Sequence, residues 1–386
     1  MSLLNTFQRK TAHTHFIPEI DGLRFFAIFT VLIFHFNTAY SRALGFDDLA
    51  LNVLGRGSTS QPGWWLVRLD LGVKVFFAIS GMVLALPFLN HYLKGGPSVK
   101  LKDYFVRRLT RLEPPFLITL LFFSMVHVLF LGKEISSMLP HFWAGLIYAH
   151  LFIYGFPNPI NPVTWSLETE TQFYLIIPFF FSILFFKRSP VYLFLIILFT
   201  FSMSIWLKAF FIQEGLTHFS SSLLAYFSNF ITGILVAFLF VNHNECVKSK
   251  SVGWDFVGFI AIFIQFYFYK PQHIWYNNLL FNSGIFLMML STFKGYILNW
   301  LFTRPMVYII GGMCYSIYLL HFAFFFLWVR VISGISLGMG YGYDLLFHLV
   351  FAIAAVLLVS AAFFYFIEKP CMNKKWPNHL LKWLKA

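Results

Sequence analysis

Apolar residues run along this chain in long stretches, at residues 23–40, 70–90, 114–132, 165–186, 190–211, 222–242, 254–269, 276–292, 305–329 and 345–367. Lys, Arg, Gly, Pro and Asn collect in the short stretches between them. A run of ~20 apolar residues matches the length of a helix that crosses a bilayer. Only helices and closed barrels satisfy their backbone groups in lipid. The pattern therefore predicts an all-α, polytopic membrane bundle of about ten transmembrane helices. A further run, 142–156, is about fifteen residues and short for a span, so it is expected to be re-entrant or interfacial.

Composition agrees. Of 386 residues, 59% are hydrophobic and 11% charged, with a mean hydropathy of +0.73. That balance excludes a soluble domain and a peripheral protein. The first residues, MSLLNTFQRKTAHTHFIPE, lack an apolar core followed by a small-residue cleavage site, so the first span is expected to act as its own insertion signal. No internal repeat or low-complexity linker stands out, and the longest stretch outside the membrane is 41–65. The expected organisation is a single membrane domain over residues 1–386, with no appended soluble domain.

The net charge of +13 would suggest nucleic acid in a soluble protein. Here it reads as topology instead, and no nucleic-acid partner is expected. With the N-terminus in the cytoplasm and 142–156 not crossing, the inside segments hold 20 of the 28 Lys and Arg residues. If 142–156 crossed, Lys187–Arg188 and Lys248–Lys250 would move outside and the bias would weaken. Both termini are therefore expected on the cytoplasmic side of a bacterial inner membrane. Cys246, Cys314 and Cys371 lie far apart with no metal-ligand spacing, which argues against a disulfide framework and a structural zinc site.

The polar residues that interrupt these runs are the candidate chemistry. In IDGLRFFAIFTVLIFHFN, Arg24 and His35 are eleven residues apart, roughly 16 Å along a helix, which sets the imidazole close to mid-bilayer. An ionisable group at that depth is a functional-site candidate. The bland alternative is a histidine facing a wet crevice or a neighbouring hydroxyl. Arg108 and Arg111 share a helix face at the cytoplasmic edge and suit a phosphate, though such residues also hold topology or touch lipid headgroups. In NPVTWSLETETQFY, Glu168 and Glu170 stand at a helix start, where Ser166 with Thr169 or Glu170 also suits capping. Ser80–Gly81 within a span reads first as close helix packing and second as a channel-lining hydroxyl. Tyr315, Ser316, Tyr318 and His321 form a polar stripe on a late span. No metal is expected: neither His35 nor His321 has a second ligand at local spacing.

These motifs together resemble the acyltransferase-3 family of integral-membrane O-acyltransferases. The family's opening I/L-D-G-L-R, followed by an apolar run and H-F, resembles Asp21, Gly22, Leu23, Arg24 and His35–Phe36. Its G-V-x-x-F-F-x-I-S-G resembles residues 72–81, and its R-x-x-R resembles Arg108 and Arg111. W-S-L-x-x-E-x-x-F-Y resembles Trp165, Ser166, Leu167, Glu170, Phe173 and Tyr174. Y-S-x-Y-L-x-H resembles Tyr315, Ser316, Tyr318, Leu319 and His321, and I-E-K-P is at 367–370. There are departures: Lys74 stands where many members carry Asp, and Thr171 where a second acid often follows.

The resemblance implies transfer of an acyl group, usually acetyl from acetyl-CoA, to a sugar hydroxyl of peptidoglycan, lipopolysaccharide, exopolysaccharide or glycolipid. The implied catalytic residues are His35, as general base, and Glu170, orienting His35 or stabilising its charged form. Arg24, Arg108, Arg111, Ser80, Trp165, Tyr315, Tyr318 and His321 are the implied donor- and substrate-binding residues. Acetyl-CoA enters as a consumed donor, and the partners are a carbohydrate or glycolipid acceptor and membrane lipid. A transporter or flippase of a lipid-linked sugar is the competing class; its usual signs, internal repeats and interrupted helices, are not evident.

Overall fold

A computed structural model of the chain describes residues 7, 16–44, 61–187, 189–243, 249–269, 275–332, 334–338, 340–373 and 376. Arg9, Lys10, Arg56, Arg188, Cys246, Lys248, Lys270 and most of the 41–65 stretch lie outside the described residues. Each apolar run becomes a helix: α1 (Pro18–Ala43), α2 (Leu71–Lys94), α3 (Leu101–Leu129), α4 (Trp165–Leu184), α5 (Pro190–Gln213), α6 (Leu223–Asn242), α7 (Val252–Phe268), α8 (Trp275–Lys294), α9 (Cys314–Ile332) and α10 (Tyr341–Phe363). No strand occurs among the described residues.

Seven helical stretches are long and apolar enough to cross a bilayer: Pro18–Ala43, Trp65–Lys94, Leu101–Leu129, Pro190–Gln213, Thr217–Asn242, Cys314–Ile332 and Tyr341–Cys371. The other three helices are shorter or more polar. α7 has 17 residues, α4 opens with Glu168 and Glu170, and α8 carries Asn277, Asn278 and Asn282. Seven helices among the described residues thus meet the length and apolarity of a span, against the ten or so that the apolar pattern predicts.

Local chemistry sets the helix ends. Pro18, Pro190 and Pro305 sit at the first turn of their helices, where a missing N–H costs nothing. α2 ends at Gly95, whose φ of 66° is left-handed, and the next amide returns to the Asn90 carbonyl at 3.0 Å. The short run at 142–156 folds as two helices, Ile135–Leu146 and His150–Tyr154, turned through Tyr148 at φ 55°. The longer of them extends only ~18 Å, less than the hydrocarbon thickness. The expected span at 305–329 is interrupted at Met313, between a short helix Pro305–Gly312 and α9. The last helix ends in a π turn, Phe364–Glu368.

At the centre, α2 and α6 cross with backbones almost touching. A Cβ on Gly233 would lie 1.7 Å from the Ala78 carbonyl oxygen, and one on Gly81 2.1 Å from that of Phe230. Small residues permit this approach where lipid supplies no hydrophobic drive between helices. Phe rings fill the space beside the crossing: Phe77 stacks on Phe230 at 4.9 Å and Phe173 on Phe230 at 4.0 Å. A second core joins α1, α9 and α10 through Phe36, Phe325 and Val356. α3, α5 and α10 form the periphery and turn Phe122, Phe194, Phe199 and Leu358 outward.

Candidate active site

The site lies where α1 meets α9. His35 Nδ1 and His321 Nε2 are 3.0 Å apart. His321 is fully buried, and its Nδ1 lies 2.8 Å from the Tyr318 carbonyl and 3.1 Å from that of Ile317. Carbonyls only accept, so the His321 proton sits on Nδ1 and Nε2 offers a lone pair. His35 Nδ1–H donates to that lone pair, and the Val31 carbonyl is a further acceptor on the same ring. The remaining lone pair of the neutral pair is then on Nε2 of His35, which is only half-buried. Phe322 stands edge-on to the His35 ring at 5.5 Å, and Phe34 is at 5.1 Å.

Tyr318 and Tyr315 brace α9. The Tyr318 hydroxyl donates to the Val163 carbonyl and lies 3.0 Å from Ser166 Oγ, fixing the 3-10 turn Pro162–Thr164 that leads into α4. Asn161 Nδ2 donates to the Leu319 carbonyl at 3.0 Å from the same turn. Ser166 therefore does not cap α4: the cap position is Thr164, and Ser166 Oγ reaches back toward Val163 at 3.4 Å. Tyr315 Oη donates to the Leu112 carbonyl at 2.9 Å, tying α9 to α3 beside Arg111.

Glu170 does not bond to His35. Its Oε1 accepts from Ser80 Oγ at 2.5 Å, and it bonds to the Tyr174 hydroxyl. A histidine, not a carboxylate, orients the His35 ring. Ser80 is thus a hydrogen-bonding group, while Gly81 next to it makes the close packing. Arg24, on the first turns of α1, forms an ion pair with Asp21.

Arg108 lies flat on the Tyr104 ring, 3.6 Å from its centroid, and donates Nη1 to the Tyr104 carbonyl at 2.9 Å. Arg111 Nη2 is 3.7 Å from Glu368 Oε1. The Nε–H groups of both arginines are buried and have no acceptor among the described residues. Two orphan donors on neighbouring guanidinium groups suit an anion with several oxygens.

Sequence reasoning gave no role to Glu368, Tyr174 or Lys208. Glu368 is fully buried, and its Oε2 accepts from Ser316 N at 3.1 Å and Ser316 Oγ at 2.6 Å. A single carboxylate closing an apolar run was the available signal. Trp165 lies away from the arginines, between Phe77 at 6.2 Å and Tyr226 at 5.6 Å, with the Lys74 ammonium 6.0 Å from its ring. No cluster of three metal-ligating side chains occurs among the described residues.

A profile of the acyltransferase-domain family matches residues 17–365, which contain every residue of the site except Glu368. The chain belongs to the acyltransferase-3 family. Among characterised sequences it is similar to the peptidoglycan O-acetyltransferase OatA of Listeria monocytogenes serovar 1/2a, with 23% identity over 94% of this chain and 57% of the relative. The putative peptidoglycan O-acetyltransferase YrhL of Bacillus subtilis is 24% identical over 94% of this chain and 56% of its own length. The O-acetyltransferase OatA of Staphylococcus aureus is 24% identical over 80% of this chain and 50% of its own length. The chain spans about half the length of the curated relatives it matches. No solved structure matches significantly.

Proposed function

We propose that this acyltransferase-3 protein is an integral-membrane O-acetyltransferase that moves acetyl from acetyl-CoA to a hydroxyl of an envelope carbohydrate. The names of its relatives favour peptidoglycan as the acceptor over lipopolysaccharide or a glycolipid. The observation that carries the reading is the His35–His321 pair, in which the bond to His321 occupies Nδ1 of the half-buried His35 ring and leaves its Nε2 out of the pair. In the proposed step the acceptor hydroxyl gives its proton to His35 Nε2 while its oxygen bonds to the thioester carbonyl carbon. The tetrahedral intermediate collapses, the C–S bond breaks, and the imidazolium returns the proton to the CoA sulfur. Arg108 and Arg111 hold donor phosphates through their orphan Nε–H groups. Counted on the ten-span arrangement, the Lys and Arg asymmetry supports cytoplasmic termini and a donor arriving from the cytoplasm.

Radiolabelled acetyl-CoA and peptidoglycan fragments, supplied to protein in nanodiscs, test this. His35→Ala is expected to fold and bind CoA with transfer reduced at least ~100-fold, the scale of general-base catalysis. Wild-type turnover in His35→Ala would remove His35 from the chemistry.

A further inference from the structure

At the end of α2 opposite the arginines, a second polar cluster lies outside the site just described. Lys74, on the first turn of α2, forms an ion pair with Asp70. The Tyr269 hydroxyl donates to the same carboxylate at 2.5 Å. Both bonds fall on Oδ2 of that carboxylate. Lys208, near the end of α5, is 6% exposed. Its ammonium lies 4.1 Å over the Tyr226 ring and has no hydrogen bond or ion pair among the described residues. Asp70 is thus bonded to Lys74, and no carboxylate bonds to the Lys208 ammonium among the described residues. This arrangement is costly unless a ligand completes it.

A small cavity opens beside them, lined by Lys74, Lys208, Asn229, Tyr269, Asn277 and Asn278. It encloses about 10 Å³, the room of one oxygen atom. Asn277 Nδ2 and Asn278 Nδ2 are buried and have no acceptor among the described residues. Asn229 Nδ2 gives one of its two N–H groups to Asn282 Oδ1 at 2.9 Å. The groups left over include an ammonium and the two amide NH2 groups of Asn277 and Asn278, a set that calls for a charged acceptor oxygen.

We propose that this cavity is an oxyanion subsite, in which Lys208, Asn277 and Asn278 seat one oxygen of a carboxylate or phosphate. Resting on the acetyltransferase reading, it anchors an anionic group of the acceptor at the end of the bundle opposite the donor. Lys74 and Trp165, 6.0 Å apart, link the subsite to the start of α4 and so to the turn that Tyr318 holds. The ligand oxygen belongs either to a soluble or acceptor-borne anion or to a lipid headgroup.

Equilibrium binding of radiolabelled inorganic phosphate in phosphatidylcholine nanodiscs tests the subsite without any transfer reaction. Wild type is expected to bind about tenfold or more tighter than Lys208→Gln, the effect of one hydrogen bond to a charged group. Asn278→Asp, which supplies a carboxylate of its own, is expected to lose phosphate binding while matching wild type in thermal stability. Repeating the measurement with phosphatidylglycerol in the nanodisc separates the sources. Competition by that lipid assigns the subsite to a headgroup, indifference assigns it to a soluble or acceptor-borne anion, and both uphold it. Equal phosphate binding by wild type and both variants overturns the proposal, whatever the fate of the transferase reading. If wild type transfers acetyl, Lys208→Gln is also expected to raise KM for a carboxylate-bearing acceptor about tenfold with kcat unchanged.

Discussion

Arg111 and Glu368 face each other across the junction of α3 with the last helical turn, Nη2 to Oε1 at 3.7 Å. The carboxylate is fully buried and held from its other oxygen by Ser316, so the guanidinium is located by a fixed point rather than by a mobile partner. A π turn, rare inside a helix and common at functional positions, sets Glu368 there.

Glu368→Gln keeps an acceptor for Ser316 but removes the charge opposite Arg111. The expected result is a folded protein whose donor KM rises about tenfold with kcat nearly unchanged, the signature of lost ground-state positioning. Glu368→Leu strips Ser316 of its acceptor as well and should cost several kcal/mol of stability, as when one partner of a buried pair is deleted. Steady-state kinetics and thermal unfolding of the two variants check this.

His321 accepts the Nδ1 proton of His35 and holds the ring in place, with the Val31 carbonyl as a further acceptor on that ring. His321→Ala should therefore lower kcat about 100-fold and leave KM for both substrates near wild type, because the base loses its orientation while the binding residues are untouched. His321→Gln, which can offer an amide oxygen to His35 Nδ1–H, should recover part of that loss. A changed donor KM in His321→Ala would point to a binding role for this residue instead.

Much of this was legible in the residues. Each apolar run fell on a helix, the polar residues within those runs pointed to His35 and His321, and the basic stretch before the third run pointed to the arginine pair. What the runs could not give was pairing across the bundle. The resemblance made Glu170 a partner for His35, yet Ser80, 90 positions away in sequence, holds it. Lys208 entered only as one more cation in the charge asymmetry, although a lone lysine in WLKAFF is costly in a membrane and signals a site. The break at Met313 was equally hidden. Gly311 comes so close to α1 that a Cβ there would lie 1.7 Å from the Asp21 carbonyl, a tertiary demand that hydropathy does not record.

The α2–α6 crossing gives a stability test. Gly→Ala in a helix usually gains up to ~1 kcal/mol from backbone entropy. At Gly233 the added methyl would meet the Ala78 carbonyl at 1.7 Å, and backbone cannot move aside without parting the helices. Gly233→Ala should lower the unfolding temperature markedly and impair insertion. Gly342, in the first turn of α10, is the control, because a methyl added there would meet nothing within 4 Å. Gly342→Ala should be neutral or mildly stabilising. Equal effects at the two positions would mean that the crossing is looser than this geometry requires.

The hairpin of short helices before α4 contains a second histidine pair, and here acid is the lever. His141 Nδ1 lies 2.9 Å from His150 Nε2, while His150 Nδ1 donates to the Phe156 carbonyl at 3.1 Å. Burial, together with His141 alongside, pushes His150 down to about 4. The unfolded segment takes up its proton near pH 6.5, before the folded one does, so folding of the hairpin is favoured most fully above that pH. Stability of the hairpin should fall as the pH drops from about 6.5 toward 4. Hydrogen exchange at residues 141–156 should accelerate over that window while the α2–α6 crossing stays protected. His150→Gln should flatten the pH dependence, and an unchanged acid response in that variant would place the sensitivity elsewhere.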